Sequence, residues 1–350
     1  MKLETNKTLK RKPDNTKLGF GKYFTDYMIS ATYTKEKGWI NKKISKYKSI
    51  SLEPSSLVFH YAQETFEGLK AYKNDKNEVF LFRPEMNARR FQLSNQRMCM
   101  PTIEINEFVE DIIQLIKLEK DWIPTLPQTS LYIRPFMFAS EHVIGVKPAI
   151  EYKYFVICSP VGIYHQGFSC SKLLIETNYV RAIRGGTGAV KCGANYAIGL
   201  LADKKAKEQG YDGVLWLDGI HQKYIEECGT MNCFVVINDE IITPPAGISV
   251  LEGITRDSTI TILKDKGYKV SEKQISIDEI ITAHYNNSLK EIFGTGTAAV
   301  ISPVGTINYQ NKDYVINNNK VGEIASLVYN TLTGIQQGKL VDKYNYTIKI

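Results

Sequence analysis

The chain has 350 residues, which is enough for two domains or for one large α/β domain with a sizeable core. Its 43% hydrophobic and 23% charged residues are ordinary for a soluble globular protein. The net charge of +7 comes from dispersed lysines, and no basic stretch interleaved with aromatic residues indicates a nucleic-acid-binding protein.

The first part of the chain is predicted to group its strands and helices separately, an α+β pattern. Residues 1–18 are polar and are expected to be loosely ordered. Residues 105–122 form the clearest helix, with apolar side chains at near-helical spacing: Phe108, Ile112, Ile116 and Leu118. The other elements predicted here are strands at 19–28, 57–61, 78–83, 131–139 and 152–159 and a helix at 87–98.

Residues 160–172 contain glycine and proline without any period and predict a linker between two domains. We therefore expect a small N-terminal domain over residues 1–159 and a larger C-terminal domain over residues 173–350. The elements predicted in the second domain are strands at 173–177, 213–217, 233–237 and 290–293 and helices at 195–208, 255–266, 277–284 and 322–338.

Cysteines, histidines and apolar runs exclude further classes of protein. None of the six cysteines forms a C-x-x-C pair and the five histidines do not cluster with them, so we expect neither a metal site nor a disulfide framework. Residues 1–17 lack the apolar centre of a signal peptide, and no apolar run approaches the roughly 20 residues of a membrane helix. We therefore expect a cytoplasmic protein with reduced thiols and no membrane contact.

A single lysine, Lys191, lies in a stretch with four glycines, at positions 185, 186, 188 and 193. Glycine inside regular structure costs roughly 0.5–1 kcal/mol relative to alanine, so its density indicates that the shape of this loop matters. The stretch would present Lys191 to a ligand or, alternatively, would be a flexible surface loop with a solvated lysine.

Three polar stretches of the second domain are candidates for ligand binding. Residues 226–232 hold carboxylates and hydrogen-bonding side chains between two apolar strands, although a plain polar turn is the alternative. Residues 251–256 precede a helix, whose unpaired N–H groups favour phosphate, although capping by Thr255 without a ligand would look the same. Residues 294–297, Gly-Thr-Gly-Thr, have a similar character, and Arg89 or Arg90 would add a charge-assisted pair to phosphate.

Together these residues match what pyridoxal phosphate needs: a lysine for a Schiff base, an acid for the pyridine nitrogen, and N–H groups with an arginine for the phosphate. The sequence in fact resembles the branched-chain amino-acid aminotransferases of PLP fold type IV, from about Gly19 onward. Six motifs carry the resemblance, at 66–72 (FEGLKAY), 131–135 (LYIRP), 185–196 (GGTGAVKCGANY), 227–232 (ECGTMN), 252–256 (EGITR) and 293–298 (FGTGTA).

The resemblance implies a mixed α/β and α+β fold of the D-amino-acid aminotransferase type, with two domains and the cofactor at their interface. It implies that Lys191 forms the Schiff base, that Glu227 keeps the pyridine nitrogen protonated and that Tyr196 bonds the phenolic oxygen of the ring. The other implied cofactor residues are Arg90, Arg181, Ile254, Thr255 and Thr297.

The resemblance also implies the reaction, a reversible ping-pong amino transfer between L-leucine, L-isoleucine or L-valine and 2-oxoglutarate. Thr230 and Ala298 would meet the substrate carboxylate. The implied side-chain pocket is lined by Phe20, Tyr61, Phe66 and Tyr132, with Arg134 nearby. A homodimer and an interdomain segment near Tyr164 that orders on substrate binding are implied in the same way.

Other functions stay open at this point. Within the same fold, a D-amino-acid aminotransferase or an aminodeoxychorismate lyase would need more polar groups than the aromatic pocket offers. A binding protein that kept the fold without catalysis would usually lose the lysine or the phosphate ligands, and this sequence retains both.

Overall fold

The computed structural model of the chain describes residues 1–4, 9–162 and 168–350. Its contacts divide the chain into two compact units. Unit 1 comprises Met1–Tyr164, Lys191–Gly193 and Gly334–Ile350, and unit 2 comprises His165–Val190 and Ala194–Thr333. The domain boundaries predicted from the sequence differ from this division. They assign all of residues 173–350 to one domain, whereas Lys191–Gly193 and Gly334–Ile350 belong to unit 1. The predicted ordering segment near Tyr164 lies outside the described residues.

In chain order, the strands are β1 (Lys2–Leu3), β2 (Tyr27–Thr34), β3 (Gly38–Lys46), β4 (Glu64–Phe66), β5 (Leu69–Lys73), β6 (Val79–Phe82), β7 (Ser130–Ala139), β8 (Glu151–Val161), β9 (Ser171–Glu176), β10 (Gly213–Leu217), β11 (Ile225–Cys228), β12 (Met231–Ile237), β13 (Glu240–Thr243), β14 (Lys269–Glu272), β15 (Leu289–Gly296), β16 (Val300–Tyr309), β17 (Lys312–Val315) and β18 (Thr347–Lys349). The α-helices are α1 (Val58–Tyr61), α2 (Pro84–Arg97), α3 (Ile105–Glu119), α4 (Ala194–Ala197), α5 (Leu200–Glu208), α6 (Ile254–Asp265), α7 (Ile277–Tyr285) and α8 (Glu323–Gln336).

Unit 1 is built on a sheet with the strand order β1-β3-β2-β8-β7-β5-β6-β18, and β4 pairs with β7. Its pairings are antiparallel apart from that of β1 with β3. Helix α3 places one apolar face in the core of this unit, where Phe108, Ile112 and Ile116 are fully buried. Leu118 departs from the predicted apolar face and is 41% exposed, because it lies two residues beyond Ile116 and points away from the sheet side.

Unit 2 contains a sheet with the strand order β11-β10-β9-β16-β15-β12-β13-β14, and β17 pairs with β16. An additional pairing of β11 with β12 closes the strands β11-β10-β9-β16-β15-β12 into a ring. The core of this unit contains side chains of these ring strands and of α7, such as Val235, Ile292 and Ile280. Closure leaves the strands of the ring without a free edge, so their ends are held at fixed positions.

Three sequence predictions of secondary structure were wrong, and one of them, the single helix over 195–208, is divided into α4 and α5. Residues 57–61 form the short helix α1 instead of a strand, because a short apolar run has no periodicity that separates the two. The strand predicted over 19–28 begins only at Tyr27, since Gly19 and Gly21 adopt positive φ angles of 63° and 67° and interrupt extended structure. Among the described residues, no helix combines the length and apolarity needed to cross a membrane.

Candidate active site

In unit 1, Lys191 belongs to a short stretch, Lys191–Gly193, that we call the lysine segment. Its main chain is held at Lys191 itself, whose N–H donates to Ser94 Oγ at 3.1 Å and whose carbonyl accepts from the Phe66 N–H at 3.0 Å. The Lys191 side chain is half-buried, and its Nζ lies 4.9 Å from the centroid of the Phe66 ring. The lysine predicted to be catalytic is therefore anchored in unit 1 by both α2 and β4.

Arg90, the predicted phosphate ligand, lies on α2 and forms a buried ion pair with Glu67. Its Nε is 2.8 Å from Glu67 Oε1, and its Nη2 is 3.0 Å from Oε2. Asn87 Nδ2 donates to the same Oε2 at 2.7 Å, as does the Gly68 N–H at 3.0 Å. Burial alone would raise the pKa of Glu67, but Arg90, Lys191 and Asn87 outweigh it and hold this pKa below its ordinary value.

Three of the four predicted pocket aromatics are linked in unit 1. The rings of Phe20 and Tyr132 meet edge to face at 4.9 Å between centroids. Arg134 Nη2 donates to Tyr132 Oη at 2.9 Å, and the Arg134 guanidinium lies 4.5 Å from the Phe66 ring centroid. We call Phe20, Phe66 and Tyr132 the aromatic cluster. Tyr61 is 40% exposed, and its ring pairs with His60 instead.

In unit 2, Glu227 lies on β11 and is buried together with Arg181. Arg181 Nε is 3.4 Å from Glu227 Oε2, and the Leu251 N–H donates to Glu227 Oε1 at 3.1 Å. Arg181 also donates through Nη2 to the carbonyl of Ser249, whose hydroxyl donates to Glu226. Burial raises the pKa of Glu226, and the adjacent Glu227 charge adds to this effect. The strand thus places two carboxylates beside one arginine.

Helix α6 begins where the sequence predicts an anion-binding turn. Its first residues are Ile254 and Thr255, both buried, and in the part of the chain that the structure describes no side chain caps this end. A Cβ at Gly253 would collide with the Asn232 amide, so only glycine permits this close approach. Arg256 turns away from this end and donates to Glu272 at 2.9 Å. The N–H groups at the start of α6 therefore suit an anion.

The remaining predicted residues of unit 2 lie on turns or on a short helix. Thr297 and Ala298 form the turn between β15 and β16, which leads into Val300 with a positive φ of 63°. A β-branched residue in this region is rare and marks local strain, which is found preferentially at functional sites. Thr230 is exposed in the turn between β11 and β12, and Tyr196 is half-buried on α4.

The structure thus links Lys191 with the aromatic cluster and Arg134 within unit 1, and Glu227 with Arg181 within unit 2. Sequence reasoning assigned no role to two acidic residues of unit 1, Glu64 and Glu67, although the FEGLKAY motif contains Glu67. Both lie in or beside β4, a half-apolar stretch in which carboxylates are unusual. Carboxylates within a half-apolar stretch are therefore the signal by which Glu64 and Glu67 could be identified from the sequence.

Comparison with known proteins gives a consistent result. The sequence model of the family described as amino-transferase class IV matches residues 64–307. The chain is 48% identical over 351 residues to branched-chain-amino-acid aminotransferase 2 of Bacillus subtilis, covering 100% of this chain and 97% of the relative.

Solved structures agree with this match. The branched-chain amino acid aminotransferase of Escherichia coli superposes with a TM-score of 0.77 at 25% identity, covering 92% of this chain and 98% of that chain. The branched-chain amino acid aminotransferase of Thermobaculum terrenum, solved in its PLP-form, has the same fold, with a TM-score of 0.73 at 21% identity, and the match covers 93% of this chain and 98% of that one. The chain therefore belongs to the class IV aminotransferases and, among them, to the branched-chain-amino-acid aminotransferases.

Proposed function

We propose that this protein transfers the amino group of L-leucine, L-isoleucine or L-valine to 2-oxoglutarate, reversibly and with pyridoxal phosphate as cofactor. The observation that carries the proposal is the anchoring of Lys191, whose main chain is bonded to Ser94 and Phe66 while its amine lies over the Phe66 ring. A solvated surface lysine would not need such fixation, whereas a lysine that acts on a bound substrate does.

The residues of unit 2 fit pyridoxal phosphate. Glu227 is a buried carboxylate suited to a protonated ring nitrogen, and the uncapped start of α6 suits a phosphate. Arg181 Nε is buried and makes no hydrogen bond with any described residue, so this region keeps hydrogen-bonding capacity for a ligand. When bound, the cofactor supplies an electron-withdrawing ring that accepts charge from the substrate Cα.

The chain's own residues would then hold and move protons. Lys191 Nζ would take the proton from the substrate Cα and deliver it to the cofactor within the same half of the reaction, and the half with 2-oxoglutarate would reverse both transfers. Glu227, which lies beside Arg181, would favour a proton on the ring nitrogen, because a carboxylate stabilises the charged form of a neighbouring base. Tyr196 holds the phenolic oxygen, and Arg90, Ile254, Thr255 and Thr297 hold the phosphate.

The aromatic cluster would select the substrate side chain. Phe20, Phe66 and Tyr132 offer apolar surface, which favours branched aliphatic side chains by burial. Arg134, already in contact with Phe66 and Tyr132, supplies a positive charge beside that surface. Tyr61 belongs to the same pocket in this proposal, and Thr230 and Ala298 receive the substrate carboxylate.

We also propose that the protein is a homodimer and works in the cytoplasm. The six cysteines Cys99, Cys158, Cys170, Cys192, Cys228 and Cys233 form no disulfide, which suits a reducing compartment. Light scattering on the purified protein measures the molecular mass in solution, and twice the chain mass of 39.7 kDa is the expected value.

The test is a spectrum of the purified holoenzyme before and after addition of L-leucine. We expect the visible absorbance of the bound cofactor to shift with L-leucine and to return with 2-oxoglutarate. Lys191→Ala should lose this shift and lower turnover by about 100- to 10,000-fold, the range for removal of a general base. Lys204→Ala, which changes a lysine that is 74% exposed, serves as the control.

Full transamination by Lys191→Ala would contradict the role of this lysine. D-alanine is tested in parallel with L-leucine, because preferential use of D-alanine would favour the D-amino-acid aminotransferases. A purified protein without any cofactor absorbance would instead favour a binding protein.

A further inference from the structure

Glu64 contacts the lysine segment at a position other than Lys191. It lies on β4, two residues before Phe66, and its Oε1 accepts the N–H of Gly193. The approach is so close that a Cβ at Gly193 would lie 2.5 Å from Glu64 Oε1. A side chain at this position would therefore force the Glu64 carboxylate to shift, so glycine allows the contact in its present form.

The lysine segment is thus held at both of its ends by β4. Phe66 donates to the carbonyl of Lys191 at 3.0 Å, and Glu64 accepts from Gly193. These two bonds run in opposite directions, as in the pairing of a strand with its neighbour, but the second is made by a carboxylate. A charged acceptor makes a hydrogen bond roughly twice as strong as a neutral one.

Few charges surround the Glu64 carboxylate among the described residues. Arg134 on β7 faces it with a positive charge, Ser94 and Asn95 of α2 are uncharged, and Lys191 lies over the neighbouring Phe66. Burial raises the pKa of Glu64, and the Gly193 N–H and the Arg134 charge offset only part of this rise. The carboxylate is therefore half-buried with one backbone donor and one cation as its main support.

We propose that Glu64 is a positioning residue for Lys191, which it fixes through the N–H of Gly193. This inference rests on the proposed function of Lys191, since only a lysine that acts on a substrate needs its Nζ held in place. Without the Glu64 contact, the segment keeps the bonds at Lys191 but loses its second support, and Nζ samples more positions. A misplacement of about 1 Å lowers turnover by about 100-fold.

The proposal predicts a pH dependence with a defined sign. As the pH falls through the raised pKa of Glu64, the carboxylate takes up a proton and its bond to Gly193 loses the charge. Because a neutral acceptor retains most of the bond, turnover of the wild-type enzyme should decline by only about threefold on the acid side, in step with Glu64. In Glu64→Gln, the amide oxygen still accepts from Gly193 but does not titrate, so this decline should disappear.

The kinetic experiment compares Glu64→Ala and Glu64→Gln with wild type on L-leucine. We expect Glu64→Ala to lower kcat by about 100-fold with little change in KM, because the substrate pocket is retained. Glu64→Gln should keep kcat within about threefold at pH 8, since a neutral acceptor retains most of the bond. Glu141→Gln is the matched control, because Glu141 also accepts a backbone N–H, that of Ile150 at 2.8 Å, at another place in unit 1.

A second measurement needs neither cofactor nor activity. Labelling apo-protein with carbonyl-¹³C cysteine and ¹⁵N glycine selects the two Cys-Gly peptides of the sequence, those of Gly193 and Gly229. The Gly193 amide signal should titrate with Glu64 in wild type and stop titrating in Glu64→Gln. The Gly229 amide, which donates to the Val214 carbonyl at 2.7 Å, should behave alike in both proteins.

The outcomes separate this inference from the proposed function. Wild-type kcat in Glu64→Ala, or an unchanged titration of Gly193 in Glu64→Gln, would overturn the role of Glu64 while Lys191→Ala remains inactive. Full activity of Lys191→Ala would overturn the function, whatever Gly193 does. If Glu64→Ala fails to fold, the near-isosteric Glu64→Gln still decides through its pH profile and the Gly193 signal.

Discussion

Two buried carboxylates, Glu67 in unit 1 and Glu227 in unit 2, are held in different ways. Glu67 is fully buried and accepts from Arg90 through two nitrogens, from Asn87 and from Gly68. Glu227 is 4% exposed, with the Leu251 N–H at 3.1 Å and with Arg181 Nε at 3.4 Å, and this Nε makes no hydrogen bond to any described residue. Both sites bury a charge beside an arginine, yet only Glu67 has short bonds to that arginine.

This difference separates a carboxylate that supports the fold from one that is available for a ligand. The charge of a buried carboxylate is costly unless it is paired and hydrogen-bonded. The contacts of Glu67 supply this within the chain, so its loss should be felt mainly in stability. The looser contacts of Glu227 leave room for one more donor, so its loss should be felt mainly in catalysis.

The largest expected effect tests the first half of this comparison. Glu67→Gln leaves the Arg90 charge buried without its counter-charge, and we expect a loss of about 3–5 kcal/mol in the free energy of unfolding. The measurement is urea denaturation at pH 7.5. The double variant Glu67→Gln with Arg90→Met should recover much of the loss, because no charge is then left alone. A loss below about 1 kcal/mol in the single variant would show that the pair does not support the fold.

The second prediction concerns Glu227→Gln. We expect turnover of L-leucine to fall by about 100-fold, because the amide no longer favours a proton on the ring nitrogen. The free energy of unfolding should change by only about 1 kcal/mol, since Arg181 retains its bond to the Ser249 carbonyl. Steady-state kinetics and urea denaturation of the same preparation check both statements. Unchanged turnover, or a destabilisation equal to that of Glu67→Gln, would remove the contrast between the two sites.

A third carboxylate, Glu119, gives the smallest expected effect and sharpens the comparison. It is 1% exposed and accepts the Tyr27 N–H, and burial, helped by the nearby Asp26 charge, raises its pKa to about 7. Because the folded state binds this proton more tightly than the unfolded state, the contribution of Glu119 to stability falls as the pH rises from about 4.5 through 7.

Glu119→Gln should therefore stabilise the protein by about 2 kcal/mol at pH 8.5 and change its stability little at pH 5. The amide oxygen can still accept from Tyr27, so the variant removes the charge and keeps the bond. Urea denaturation at the two pH values measures the difference. An equal change in the free energy of unfolding at both pH values would mean that the buried charge of Glu119 does not destabilise the folded state.

The sequence predicted elements well where the signal is local. Helix α6 was predicted over 255–266 and spans Ile254–Asp265, because its start follows a turn and its end precedes a glycine. Strand β18 (Thr347–Lys349) was missed, since three residues carry no pattern and their partner, Val79–Phe82, lies far away in sequence. Pairing over such a distance depends on the tertiary structure and leaves no local trace.

The site shows the same limit. The sequence motifs identified Lys191, Glu227 and Arg90, but they did not indicate which charged groups these residues contact. The bidentate pairing of Arg90 with Glu67 and the contact of Glu64 with Gly193 arise because β4, α2 and the lysine segment converge in unit 1. The roles assigned to the site residues remain predictions until the variants are measured.

The C-terminal residues Gly334–Ile350 belong to unit 1 although they follow unit 2 in the sequence, and this affects the order in which the protein can fold during synthesis. Strand β18 pairs with β6 and completes an edge of the unit 1 sheet, yet the ribosome makes it only after the whole of unit 2. At about 5–20 residues per second, the 264 residues between Phe82 and Thr347 take from about 13 to 53 seconds to make. During this interval the edge of β6 is without its partner, so a nascent chain would present that strand to chaperones or to other chains.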